Sequence, residues 1–254
     1  MPSHKKRKTS KKTKSKKKST KGYSTSSTYA PMVTGAEEKW FDYGQGAEDA
    51  NASEPNWIAS GFHSLATGSG PSQRVGRKVS VKSLDLKFLR RYFNTDPLGQ
   101  NSLDKVPNLQ NLRFIVFQDR QVNNVAITDN DQAVNLLLEE NNSTIGSNSW
   151  MTANYKLSNE RRFKILHDKI HQVHLGNTTA LATGNYLVQP GSVFIHKKLK
   201  FKKPVVIEFN GPAGTMEETV TNGLYLLVVA DQATATVTYK YSQWLSTRVR
   251  YLDD

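Results

Sequence analysis

Eleven of the first 21 residues are Lys or Arg: Lys5, Lys6, Arg7, Lys8, Lys11, Lys12, Lys14, Lys16, Lys17, Lys18 and Lys21. No acidic residue precedes Glu37. The chemistry open to such a run is neutralisation of phosphates, each of which releases condensed counterions when a cation replaces them. That contact carries no sequence information, because it reads the backbone and not the bases. The residues between the lysines are Ser, Thr and Gly, with nothing apolar from Thr9 to Gly22. Such a segment buries no surface to offset its ordering entropy, so residues 1–35 are expected to form a disordered arm and spacer. The chain as a whole holds 35 basic and 22 acidic residues, net +13. Without the first 21 residues the balance is 24 to 22, so nearly all the excess lies in the arm. A solubility tail is the plainer alternative, but a block of like charge this dense is more often an interaction tail. Its Lys5, Lys6, Arg7, Lys8 cluster also reads as a nuclear-import address.

Further along, Arg74, Arg77 and Lys78 open a candidate strand that Arg90 and Arg91 close. The functional reading is a basic surface that extends the arm's phosphate contacts. The competing one is a half-solvated strand face paired with carboxylates. Trp40, Phe41, Tyr43 and Trp57 precede that strand; they have the faces to stack on bases, or they pin an extended lead-in to the body or to a neighbouring subunit. The second account is preferred, since aromatic side chains dominate packing and interfaces.

Other candidate chemistry falls away. His167, His171 and His174 would converge only on a helix. On a strand, His167 and His171 stand ~13 Å apart and His174 faces the other way. Gly68-Ser69-Gly70 and Gly76-Arg77-Lys78 lack the spacing of a phosphate loop. Glu139-Glu140 and Glu217-Glu218 are adjacent carboxylates in polar surroundings, without the environment of an acid/base couple. No catalytic residue, metal or cofactor is therefore expected. Cysteine is absent, which excludes disulfides and thiolate sites. No stretch has the length or apolarity of a membrane span or a secretory signal, so no membrane insertion is expected.

Strands must position these residues. From Arg74 to Tyr92 the apolar positions alternate, with one slip of parity at Ser83, the pattern of a long strand with a β-bulge. Arg113–Gln118 predicts a second strand, and Ala133–Glu140 a short helix capped by Asp129 or Asp131. Arg162–Leu175 is an irregular strand. Val193–Phe209 reads as two strands parted by Pro204, which cannot donate to a ladder. Gly223–Ala230 is the most apolar run and predicts a central strand, and Ala233–Leu252 a long terminal one. Seven or eight strands with long connections favour an antiparallel sandwich, and a jelly roll best accommodates such loops. The polar stretches Asp96–Asn108, Asn141–Asn159 and Thr178–Gly191 are candidates for an exterior surface.

Several segments carry a resemblance: Arg74-Val75-Gly76-Arg77-Lys78-Val79, Arg113–Asn124 (RFIVFQDRQVNN), Arg162–Lys169 (RFKILHDK), Asn222–Asp231 (NGLYLLVVAD) and Arg248–Asp253 (RVRYLD). With the basic arm, their order and spacing resemble the capsid proteins of circovirus-like viruses, which have circular single-stranded DNA genomes and encode a replication initiator. The resemblance spans the arm and almost all of the body. It implies a single eight-stranded jelly roll over residues 36–254, sixty copies of which close an icosahedral T=1 shell, with the arm inside on the genome. The implied partners are further copies of the chain, single-stranded nucleic acid (DNA by the resemblance) and a host nuclear import receptor. The implied locations are the virion and, during assembly, the host nucleus. The arm is Lys-rich with one Arg, whereas many circovirus arms are Arg-rich, so a relative outside the strict circoviruses is expected. Satellite RNA viruses and geminiviruses share the fold. A cellular nucleic-acid-binding module with a basic tail, a satellite RNA virus coat and a processing nuclease are the rival readings.

Overall fold

The fold comes from a computed structural model that describes residues 38–51, 56–94, 109–139, 149–174, 178–180, 186–188, 191–230 and 239–253. The arm, residues 1–35 with its eleven cations, lies outside the described residues, as does the whole of the first loop predicted to face outward, residues 96–108. In chain order the strands are β1 (Glu38–Asn51), β2 (Trp57–Ala59), β3 (Lys78–Asn94), β4 (Leu109–Asp119), β5 (Phe163–His174), β6 (Thr178–Ala180), β7 (Tyr186–Val188), β8 (Ser192–Phe209), β9 (Thr219–Thr221), β10 (Gly223–Ala230) and β11 (Tyr239–Asp253). Two short helices, α1 (Asn130–Leu137) and α2 (Ser149–Thr152), lie between β4 and β5.

The strand pairing is nested. Strand β4 pairs with β5, β3 with β8, β2 with β10 and β1 with β11, all antiparallel, so each pair encloses the one before it. Across these pairs the order is β1-β11-β3-β8-β9 in one sheet and β2-β10-β4-β5 in the other. That is the eight-stranded jelly roll, with β9 added at one edge. Strands β6 and β7 form a separate hairpin.

The alternation in sequence becomes an inner and an outer face. Val79, Val81, Leu84, Leu86 and Phe88 of β3 meet Leu112, Phe114, Val116, Leu224, Leu226 and Val228 of the facing sheet in one apolar core. The parity slip falls where expected. Val81 and Ser83 pair with consecutive residues of β11, Tyr251 and Arg250, leaving Lys82 as the extra residue of a bulge. Opposite the same point, Phe201–Pro204 of β8 have no pairing to β3, and Val205 resumes the register. Pro204 thus interrupts a ladder within one continuous strand, where two strands were expected; the bulge absorbs its missing donor.

Strand β10 is buried along its whole length because it has a core on each side. Its outward residues Tyr225, Leu227 and Val229 join Ile115 and Phe117 of β4 under Ala133, Val134 and Leu137 of α1, Met151 of α2 and Ala153 just after it. The Asp129 carboxylate accepts from Gln132 N at 2.7 Å and caps α1, one of the two predicted caps. Asn222, with φ of 63°, makes the turn into β10 in the left-handed region that Asn tolerates. Gly214, at φ 69°, lets its backbone pass so close to the Leu65 carbonyl that a Cβ would collide with it.

Two principal strands were not anticipated. Residues 38–51, expected to be an extended lead-in, form β1 and pair with β11 nearly throughout. Trp57 belongs to the three-residue β2, whose partner is β10. The terminal strand begins at Tyr239, and the earlier part of the predicted span, to residue 238, lies outside the described residues.

Candidate nucleic-acid interface

The basic residues around β3 divide into two kinds. Arg74 is buried, at 1% exposure, and its guanidinium donates to three backbone carbonyls: Leu65 O at 2.8 Å from Nε, Gly76 O from Nη1 and Gly211 O from Nη2. It also lies 4.5 Å over the ring of Phe209. Burial lowers its pKa, and the Glu218 and Asp253 carboxylates act in the opposite direction. The expectation that Arg74 meets phosphate is corrected accordingly: the side chain is buried, and three of its five N–H donors fasten loop segments together instead of facing a ligand. Arg77 and Lys78 are exposed at the same end, Lys78 facing Glu208 at 3.6 Å. A cleft of about 320 Å³ opens beside them, lined by Thr67, residues 74–77 and Asn210–Pro212.

The other end of β3 repeats the division. Arg90 is fully buried, donates to Gln243 Oε1 at 3.0 and 2.6 Å, and lies 4.2 Å over the Tyr241 ring. Arg91 points outward with its guanidinium 5.9 Å above Trp244. In each pair the inner arginine builds the fold and the outer one meets solvent.

The lead-in aromatics sort in the same way. Trp57 packs in the core against Phe88 at 5.9 Å between ring centroids, and Phe41 and Tyr43 line that core from β1. Three of the four therefore pin the chain, as preferred. Trp40 is the exception, since it faces outward and is 46% exposed.

Tracing the register across the five-stranded sheet gives the outward face row by row. Trp40, Arg250, Ser83 and Lys200 share one row. Asp42, Arg248, Asp85 and Lys198 form the next, then Gly44, Ser246, Lys87 and His196. Gly46, Trp244, Leu89 and Phe194 make an apolar row, and Ser242, Arg91 and Ser192 follow it. The acids here are engaged. Asp42 takes a two-pronged contact from Arg248 at 2.6 and 2.7 Å, and Asp85 pairs with His196 at 2.8 Å. The Arg248 hydrogen bonds, stronger than the slight burial that opposes them, hold the Asp42 carboxyl below its ordinary range. Arg250 and the bulge residue Lys82 both reach Glu38, each at 3.4 Å. Lys87, Lys198 and Lys200 make no ion pair among the described residues.

Among the described residues there is no cluster of three or more His, Cys, Asp or Glu that would hold an ion. His167 and His171 share the inner face of β5 and meet the edge of the Phe114 ring at 6.2 and 6.4 Å, while His174 is exposed. Burial lowers the pKa of both inner imidazoles, and Lys197 of β8 adds to the shift at His167. Glu218 of the second carboxylate pair accepts from Gly214 N at 2.6 Å and so closes a turn.

The outward rows were missed in the sequence. The alternation Lys198-Leu199-Lys200-Phe201-Lys202 signals that lysines share a face, but the cross-strand partners that turn them into a patch come from three other strands.

No family model and no curated protein matches the chain. Among solved structures, apo chimpanzee polyomavirus VP1 aligns with 88% of this chain and 75% of that one at 9% identity and a TM-score of 0.13. A likeness of that size carries no argument, and the jelly roll rests on the nested strand pairing alone.

Proposed function

We propose that the chain is a viral coat protein that assembles with further copies of itself into a closed shell and packages single-stranded nucleic acid by neutralising its phosphates. The observation that carries this reading is the joining of eleven cations in the first 21 residues to a near-neutral jelly-roll body. A polycation of that density supplies sequence-independent affinity. A jelly roll is an architecture found in viral capsids. On the circovirus-like resemblance the cargo is circular DNA, the shell has sixty subunits, the Lys5–Lys8 cluster directs the chain to the host nucleus, and no reaction is catalysed.

Deleting residues 1–21 tests the division of labour. The truncated protein is expected to keep its circular dichroism spectrum and its capacity to assemble, and to lose most of the co-purifying nucleic acid. Particles seen by negative-stain microscopy for the intact chain separate this reading from a cellular nucleic-acid-binding module, which would elute as a monomer. Unchanged nucleic-acid content after truncation would overturn it, as would binding of the intact chain that is insensitive to salt.

A further inference from the structure

We infer that the outward face of the five-stranded sheet is a second nucleic-acid contact, on which bases of a single strand stack against Trp40, Trp244 and Phe194 while the surrounding cations meet its phosphates. The inference rests on the packaging reading and adds a base-contacting surface to it.

Three observations converge. Large aromatic faces are open to solvent on a sheet whose inner face is fully occupied: Phe194 is 63% exposed, Trp40 46% and Trp244 37%. The five rows from Trp40 to Arg91 hold six Lys or Arg. Arg248 and Arg250 are paired with Asp42 and Glu38, Asp85 is taken by His196, and Lys87, Lys198, Lys200 and Arg91 have no carboxylate partner among the described residues. The unpaired surplus is therefore cationic and complements a polyanion. Third, Trp244 is held in place: it stands beside Gly46, where an added Cβ would come within 3.1 Å of its ring, and Arg91 lies over it.

Rings interleaved with cations are the arrangement by which proteins grip single strands, since stacking accepts any base and the charges track the backbone. A duplex hides its base faces, so the occupant is single-stranded. A second copy of the chain on this face would bring the same cationic surplus against itself, which disfavours that occupant.

The experiment uses the full chain, a fluorescently labelled oligothymidylate, and polyphosphate as a ligand with phosphates but no bases. Residues 1–35 contain no tryptophan, so a change in tryptophan emission reports on the body. Oligothymidylate is expected to quench that emission, and polyphosphate to leave it unchanged while still binding the arm. At salt high enough to suppress the arm, the variant Trp40→Ser, Phe194→Ser, Trp244→Ser should lose at least about five-fold in affinity for oligothymidylate. Its affinity for polyphosphate, measured at low salt where the arm binds, should hold, and Leu157→Ser, an exposed apolar residue elsewhere, should change neither. The pair Trp40→Phe, Trp244→Phe keeps stacking faces, and should retain affinity while losing the quench. Should the triple variant misfold, Phe194→Ser alone carries the comparison. Oligothymidylate binding without any quench overturns the inference, as does an equal loss for both ligands. An emission change that follows protein concentration without nucleic acid also overturns it, since it would identify a contact between copies. Failure to bind either ligand would instead overturn the packaging reading itself.

Discussion

The two sheets of the sandwich treat their outer faces in opposite ways. The four-stranded sheet is roofed by its own chain: α1, α2 and the residues just after α2 cover Ile115, Phe117, Tyr225 and Leu227, and the Phe117 and Tyr225 rings stack at 5.2 Å beneath them. Arg113 fastens that roof. It donates to Trp150 O and Ala153 O at 2.9 and 2.8 Å and pairs with Asp168 at 2.7 Å, while Tyr155 donates to the same carboxylate. Burial works against the charge of Asp168, but the hydrogen bonds from Arg113 and Tyr155 outweigh it and hold the carboxyl low. The five-stranded sheet has no such roof among the described residues and carries rows of charge and aromatic rings instead. A single sandwich thus spends one outer face on stability and leaves the other open for contact.

The comparison breaks first in the shared core. Replacing Leu226, fully buried between the sheets, by Asp should cost several kcal/mol, since a carboxylate there has no partner. That is a large share of a domain's stability, so insoluble or unassembled protein is expected, whereas Glu217→Ala should be tolerated. Normal thermal stability of the Leu226 variant would sink the assignment of β10 as a central strand.

One residue along, Leu227 faces the roof. Leu227→Ala should cost about 2–5 kcal/mol, as in any well-packed core, if that layer is a true second core. A shift in the urea midpoint no larger than for an exposed site would show the roof to be loosely held.

A third test uses pH. His63 is fully buried between the rings of Phe62 and Phe209, accepts from Leu224 N at 3.4 Å, and burial pushes its pKa down to about 3. The unfolded chain takes up the proton at its ordinary pKa of about 6.5, so the unfolded state binds more protons between that value and about 3. Stability is complete above that window and falls with pH through it, by a few kcal/mol at its lower end. The drop in urea midpoint between neutral pH and the lower part of the window should shrink in His63→Gln.

The smallest effect belongs to the open face. Arg248→Ala removes an exposed ion pair with Asp42 and should leave the melting temperature nearly unchanged, because solvent screens such pairs. A marked loss would mean that the charged rows brace the sheet.

The same contrast explains what was legible beforehand. Strands β3, β5 and β11 alternate because one side of each meets the core, and β10 reads as a solid apolar run because both its sides do; periodicity sees both. The bulge at Lys82 showed as a slip of parity. Strand β1 did not show, since its sequence carries Glu38, Asp42, Gly44, Gly46 and Glu48, poor strand formers, and it is extended because the edge of β11 offers it a ladder. Arg74 was misread for a related reason. Its partner Gly211 O lies 137 residues away, and no local pattern announces a carbonyl that distant. The charged and aromatic rows needed the register of four strands, which exists only after folding.

Nested pairing also sets a schedule. Lys39 meets Asp253 across 214 residues of chain, the outermost shell of the nest, whereas β4 and β5 are consecutive principal strands. At ~5–20 residues per second of synthesis, Trp40 is made roughly 10–40 s before the Arg250 beside which it will lie. Loop closure over that distance is slow and follows the inner pairs, so β1 remains an unpaired edge until the last strand is delivered. A ribosome that stalls after β10 therefore leaves a half-built sandwich with β3 uncovered on the side where β11 belongs, and the time spent in that state limits how much protein a cell can make without loss to aggregation.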